Sequence, residues 1–163
     1  MNVSFSTRGW QQIPWEQQVQ MAETMRFGGI ELYNVHKTPE LTGRGGPLHR
    51  YTAAATAREL WQKGLGIPCF DTACDIAGED CTETVTALMQ LAHDVQCPYV
   101  SVTAQRDDDA RISAALEALL PAAEAQGITI LLKTSGVFSD TARLRTLLDA
   151  FACDQLGALW DMH

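Results

Sequence analysis

Two hydrophobic rhythms alternate along this chain. Short apolar runs with β-branched and aromatic residues are each followed by a longer stretch in which apolar positions return every three to four residues. The short runs predict strands at Asn2–Ser6, Gly29–Tyr33, Ile67–Asp71, Tyr99–Thr103, Ile128–Leu132 and Ala158–Asp161. The longer stretches predict helices at Trp15–Arg26, Tyr51–Lys63, Cys81–Val95, Ala110–Ala125 and Asp140–Phe151. Local signals agree with these bounds. Pro14 suits a helix start, Gly64 and Gly127 suit helix ends, and Asp140 suits an N-cap.

Strand starts recur at about 30 residues, one βα unit each. Six strands alternating with five helices imply an α/β fold with a parallel sheet, helices on its faces and right-handed crossovers. Two architectures satisfy that order: an open doubly wound sheet, or a (β/α)8 TIM barrel cut short. No G-x-G-x-x-G follows the first strand, where the chain reads Arg8-Gly9-Trp10-Gln11, which weakens the dinucleotide-binding alternative. Eight units at this spacing need roughly 240 residues, so 163 residues amount to about two-thirds of a barrel. The expectation is a single truncated TIM-barrel domain over residues 1–163, ending at a strand tip. Such a domain leaves two unpaired parallel edges, which a second copy in a homo-oligomer would cover.

Composition narrows the partners. Twenty acidic against 12 basic side chains give a formal charge of −8 and a pI near 4.8. No net positive field attracts nucleic acid or anionic lipid. The N-terminus lacks a basic segment ahead of an apolar one, and runs such as Ile130-Leu131-Leu132 are far short of a membrane span. Five cysteines, Cys69, Cys74, Cys81, Cys97 and Cys153, form no C-x-x-C pair and fit neither a disulfide framework nor a structural zinc site. A cytoplasmic protein without nucleic-acid or membrane partners is expected.

In parallel α/β folds the chemistry lies beyond the carboxyl ends of the strands. Residues there are Arg8 after the first strand, Glu31, Tyr33 and His36 with the second, Asp71 and Asp75 with the third, Gln105 and Arg106 with the fourth, Lys133 with the fifth, and Asp161 and His163 with the sixth. Asp161 and His163 are two residues apart, so on a strand they point the same way at about 6–7 Å and could share a divalent ion. The alternative is a loop-starting acid and a terminal histidine.

The segments MRFGGIELYNVH, GLGIPCFDT, LAHDVQCPYVSVTA, AQGITILLKTSGVFSDTARLRTLLDAF and LGALWDMH, in this order and spacing, resemble the xylose-isomerase-like barrel superfamily. Sugar-phosphate isomerases and epimerases, inosose dehydratases and apurinic endonucleases share that fold. The resemblance implies a (β/α)8 barrel holding Mn, Mg, Co or Zn as a divalent ion at its mouth, and a small-molecule carbohydrate as substrate. In the epimerase branch a Glu on strand five, an Asp on strand six, a His on strand seven and a Glu on strand eight bind the ion, and the two Glu residues move the proton. Asp161 matches the strand-six ligand. His163, at Asp+2 where the family has a histidine at Asp+3, is the second metal candidate.

Strand five departs from the family pattern. Where the family shows Leu-x-Glu-x-Asn-Gly, this chain shows Leu131-Leu132-Lys133-Thr134-Ser135-Gly136, an ammonium in place of a carboxylate. Beside a divalent cation that inversion costs affinity through like-charge repulsion. Three readings of Lys133 stand: a point charge for an anionic substrate group, a desolvated amine acting as base or Schiff-base nucleophile, or the mark of a degenerate site. Lys133 and Glu31 are therefore the catalytic candidates, and Arg8, His36, Asp71 and Lys133 the substrate-binding ones. Glu31 has a structural alternative, an ion pair with a neighbouring strand. The expected activity is carbohydrate isomerisation or epimerisation, metal-dependent in a complete barrel and lost in this fragment. The alternative is a catalytically degenerate barrel that binds a sugar-like ligand or a partner.

Other chemistry-bearing residues have plainer explanations. Asp107-Asp108-Asp109 precedes a helix and suits N-capping. Cys69 and Cys74 lack a nearby histidine in sequence and are expected to be buried, inert thiols. An apurinic endonuclease expects several histidine ligands and a basic DNA-binding surface, both at odds with this composition.

Overall fold

A computed structural model describes residues 3–10, 12–33, 47 and 53–160. The strands are β1 (Ser4–Ser6), β2 (Gly29–Tyr33), β3 (Cys69–Asp75), β4 (Tyr99–Thr103), β5 (Thr129–Lys133) and β6 (Leu156–Leu159). The helices are α1 (Trp15–Thr24), α2 (Ala53–Gln62), α3 (Cys81–Asp94), α4 (Asp109–Gln126) and α5 (Thr141–Phe151). All neighbouring strands pair in parallel, in the order β1-β2-β3-β4-β5-β6. The sheet does not close: β1 and β6 are its two edges among the described residues. This is the α/β architecture of an incomplete barrel.

Side chains alternate across each strand, and the two sets meet different surroundings. Ile30, Leu32, Phe70, Val100, Val102, Ile130 and Leu132 point toward the helices, where none is more than 5% exposed. Val19 and Ala22 of α1, Leu60 of α2, Val85 and Met89 of α3, and Ile112, Leu116 and Leu119 of α4 cover them. Pro121 lies inside α4 on its exposed side. The opposite set, including Glu31, Tyr33, Asp71, Ser101, Thr103 and Lys133, gathers the polar groups on one face.

Element ends follow local chemistry. Gly127 closes α4 in the left-handed region at φ 66°. Asp140 caps α5 by accepting from the amides of Ala142 (3.0 Å) and Arg143 (3.3 Å). The acidic run before α4 divides its labour: Asp108 caps the helix by accepting from the Arg111 amide at 3.0 Å, while Asp107 and Asp109 both bind the Arg143 guanidinium, at 2.6 and 2.5 Å. Of the capping expected of this triplet, Asp108 supplies the cap, and Asp107 and Asp109 form ion pairs instead.

The third and sixth strands differ most from expectation, while the first is shorter, over Ser4–Ser6, and the fifth is shifted by one residue, to Thr129–Lys133. The third begins at Cys69 rather than Ile67 and runs on to Asp75. Pro68 has no N–H for the ladder, so pairing touches at Gly66, whose carbonyl accepts from Ile30 at 2.9 Å, and becomes continuous only after the proline. A register shift between Asp71 and Asp75, with Ala73 at φ 50°, then lengthens the strand. The sixth strand runs over Leu156–Leu159, earlier than Ala158–Asp161. The Gln155 carbonyl already accepts from Ile130 at 2.8 Å, which starts the ladder immediately after α5.

Candidate functional site

The carboxyl ends of β2 and β5 and the middle of β3 bring one cluster together, since β3 runs on past Asp71, the residue expected at its tip, to Asp75. Tyr33, the last residue of β2, pairs in register with Asp71 of β3, which pairs in turn with Ser101 of β4. Lys133 ends β5 on the same face, and its side chain reaches across β4 to Asp71. The Lys133 ammonium donates to Asp71 Oδ2, and their side chains are 11% and 2% exposed. The other carboxylate oxygen, Oδ1, accepts from the Ala73 amide at 3.1 Å. The bulge after Asp71 thus holds its carboxylate facing Lys133.

Two cations lie over one ring. The Lys133 ammonium is 5.9 Å from the Tyr33 ring centroid and the Arg8 guanidinium carbon is 5.3 Å from it, both within cation–π range. The turn after β1 carries Arg8 to this place. Its Thr7 hydroxyl oxygen accepts from the Tyr33 amide at 2.8 Å, and Ser6 Oγ accepts from the Arg8 amide at 3.3 Å. Behind Lys133 the chain turns sharply at Gly136, at φ 60°. A Cβ there would fall 2.3 Å from the Ala104 carbonyl oxygen, so only glycine permits this approach.

Glu31 lies one pleat below Tyr33, half-buried. It makes no ion pair with a neighbouring strand among the described residues. Its charge, after burial and Cys97, helps push the Cys69 thiol up to about 12. Burial likewise pushes Cys97 up to about 12. Cys81 is raised by its hydrogen bond to Cys74 and then by burial. None of the five cysteines is in a disulfide. Buried thiols held in the neutral form are inert, as expected of Cys69 and Cys74.

Beyond this cluster, Asp75 organises the β4–α4 turn, accepting from the Gln105 amide at 3.1 Å and pairing with Arg106 at 3.3 Å. Gln105 and Arg106 are thereby tied to loop structure. Of the predicted site residues, Arg8, Asp71 and Lys133 come together, with Glu31 beneath them. His36, Asp161 and His163 lie outside the described residues. Tyr33, named from sequence only as a strand-tip residue, is the shared platform for both cations, a role set by cross-strand register that no local pattern carries.

A divalent ion finds no matching donors in this cluster. Among the described residues no three His, Cys, Asp or Glu side chains converge as a metal site. Of the carboxylates on this face, Asp71 is already bound by an ammonium that would repel the ion, and Asp75 is engaged by the Gln105 amide and Arg106. The described donors around Lys133 do not fit a metal.

No family model matches the sequence, and no curated protein matches it. Solved structures do. The IOLI protein, crystallised with a bound zinc atom, superposes with a TM-score of 0.74 at 14% identity, over 97% of this chain and 62% of its own. The xylose isomerase domain protein from Planctomyces limnophilus gives 0.68 at 14% identity, over 99% and 62%. The family 2 AP endonuclease from Brucella melitensis gives 0.65 at 16%, over 97% and 67%. This chain spans 62% of the length of the first two. With six parallel strands in sequential order and superposition over nearly its whole length, the chain has the fold of the xylose-isomerase-like barrels.

Proposed function

We propose that this chain forms the ligand-binding mouth of a carbohydrate isomerase- or epimerase-type barrel, and that by itself it binds its ligand without turning it over. The observation carrying this reading is the pair between Lys133, at the tip of β5, and Asp71, within β3, flanked by Tyr33 and Arg8. An aromatic platform with cations at its edge suits a hydroxylated, anionic small molecule: the ring packs against a sugar face and the cations meet a phosphate or carboxylate. A sugar phosphate isomerase/epimerase from Parabacteroides distasonis has the same fold, with a TM-score of 0.57 at 11% identity. Lys133 stands where the family that the sequence resembles carries a Glu that moves the proton, which supports binding without turnover.

No described helix is long and apolar enough to cross a membrane. Free thiols fit a reducing cytoplasm. The edges of β1 and β6, unpaired among the described residues, fit a homo-oligomer, and the charge of −8 disfavours nucleic acid.

The test is calorimetric titration of the chain with a panel of sugar phosphates, sugar acids and free sugars, combined with solvent deuterium incorporation to detect proton exchange. Binding of a phosphorylated or acidic sugar is expected, weakened about tenfold in Arg8→Ala by loss of a charge-assisted contact, with no deuterium uptake. Absence of binding across the panel at about 10 mM would sink the binding reading. Deuterium uptake would remove the claim that the chain does not turn its ligand over.

A further inference from the structure

Fold relatives of this chain include a structure with a bound zinc atom, yet the donors around Lys133 do not suit a metal. That disagreement has a chemical answer within the cluster itself. An ammonium has three N–H donors. Among the described residues Lys133 uses one of them, toward Asp71, and otherwise lies against the Tyr33 ring. Asp71 is 2% exposed on its side chain and anchored by the Ala73 amide, so it cannot readily turn to a different cation. The positive charge is therefore held in place by the fold, with further donors unused among the described residues, and Arg8 lies over the same ring.

We propose that the Lys133 ammonium, held by Asp71 beside Tyr33, is the permanent cationic centre of this site and binds an anionic oxygen of the ligand, phosphate or carboxylate, without a divalent metal. It rests on the mouth being the ligand site, and adds what the ligand must carry there. The carboxylate prevents the ammonium from folding back into solvent, and the aromatic ring replaces part of the water it loses on burial. An anion arriving at the mouth meets a charge already desolvated and oriented, the arrangement in which a charge-assisted hydrogen bond is strongest.

The experiment titrates inorganic phosphate into the wild-type chain with and without EDTA, by calorimetry, and titrates Mn2+ alone, by electron paramagnetic resonance. The same titrations are made on Lys133→Arg and on Lys133→Met/Asp71→Asn, which removes both charges together so that no buried carboxylate is stranded. Phosphate affinity is expected to change less than about twofold with EDTA, to persist in Lys133→Arg, and to fall about tenfold or more in the double variant. Mn2+ is expected to show no one-to-one binding tighter than about 1 mM. One tightly bound Mn2+ per chain, phosphate binding that requires it, phosphate binding unchanged in the double variant, or no phosphate binding to wild type would each overturn the proposal. Free sugars that bind where phosphate does not defeat the cationic-centre proposal and leave the carbohydrate reading standing. Phosphate that binds as expected where no sugar does upholds the cationic centre and defeats the carbohydrate reading.

Discussion

The two faces of the same sheet solve different problems. Toward the helices every strand of the β2–β5 core presents Ile, Leu, Val or Phe, and those side chains are shut from water. On the other face the same strands present Glu31, Tyr33, Asp71, Ser101 and Lys133. One face is stabilised by volume, which many sequences satisfy. The other depends on particular partners: a buried ammonium is tolerable only because one carboxylate meets it. Mutation should therefore be felt in proportion to area on the first face and in proportion to unpaired charge on the second.

The largest effect is expected on the apolar face. Phe70 is 1% exposed between β2 and β4, and Phe70→Ala should cost roughly 3–5 kcal/mol in urea unfolding, as the lost transfer energy adds to a cavity. The mouth should respond differently. Asp71→Ala strands the Lys133 ammonium and is expected to cost about 3 kcal/mol, whereas the paired replacement Asp71→Leu/Lys133→Met should fall within about 1 kcal/mol of wild type or exceed it. A double variant as unstable as the sum of its single changes would show that the mouth is held by packing, and the contrast between the faces would fail.

This difference also explains what could be read from the sequence. The βα repeat made the six strands, the five helices and their parallel pairing legible, because each short apolar run and each helical period is a property of its own segment; the choice between an open sheet and a barrel came from the resemblance. The cap at Asp108 was equally legible, since capping is local, whereas the ion pairs of Asp107 and Asp109 with Arg143 are long-range and were not. Lys133 was visible as an inverted charge at a strand tip, but its carboxylate partner was not. Asp71 lies 62 residues earlier and two strands away, and depends on a bulge at Ala73 that no short-range pattern announces. The start of β3 was lost to Pro68, where a missing N–H overrides a run otherwise apolar enough to be a strand.

Buried thiols provide a smaller test. Cys69 holds its proton up to about 12, against 9.0 for an unburied thiol, chiefly through desolvation. A pKa raised in the folded state contributes stability that is fully present below pH 9 and is lost as pH climbs toward 12. Urea midpoints should therefore fall between about pH 8.5 and 10.5, and the fall should shrink in Cys69→Ala relative to that variant's own value at the lower pH. At neutral pH a thiol reagent should label Cys153, which is partly exposed, ahead of the four buried cysteines. Rapid labelling of Cys69 would mean that the polar face opens to solvent far more than its burial allows.

The smallest expected effect asks whether the helix layer shapes the mouth at all. Asp140 begins α5 shortly after the Gly136 turn that follows Lys133, and accepts from two helix amides. Asp140→Ala should cost about 1 kcal/mol by leaving those amides to water, while Asp140→Asn should cost a few tenths, since the amide oxygen also caps. If the sheet alone positions Lys133, phosphate affinity in Asp140→Ala stays within about twofold of wild type despite the lost stability. A tenfold loss of affinity would mean that the α5 start, through the Gly136 turn against Ala104, helps hold the ammonium in place. The two faces would then be coupled through the loop that joins them, and the ligand site would be a property of the whole βα unit.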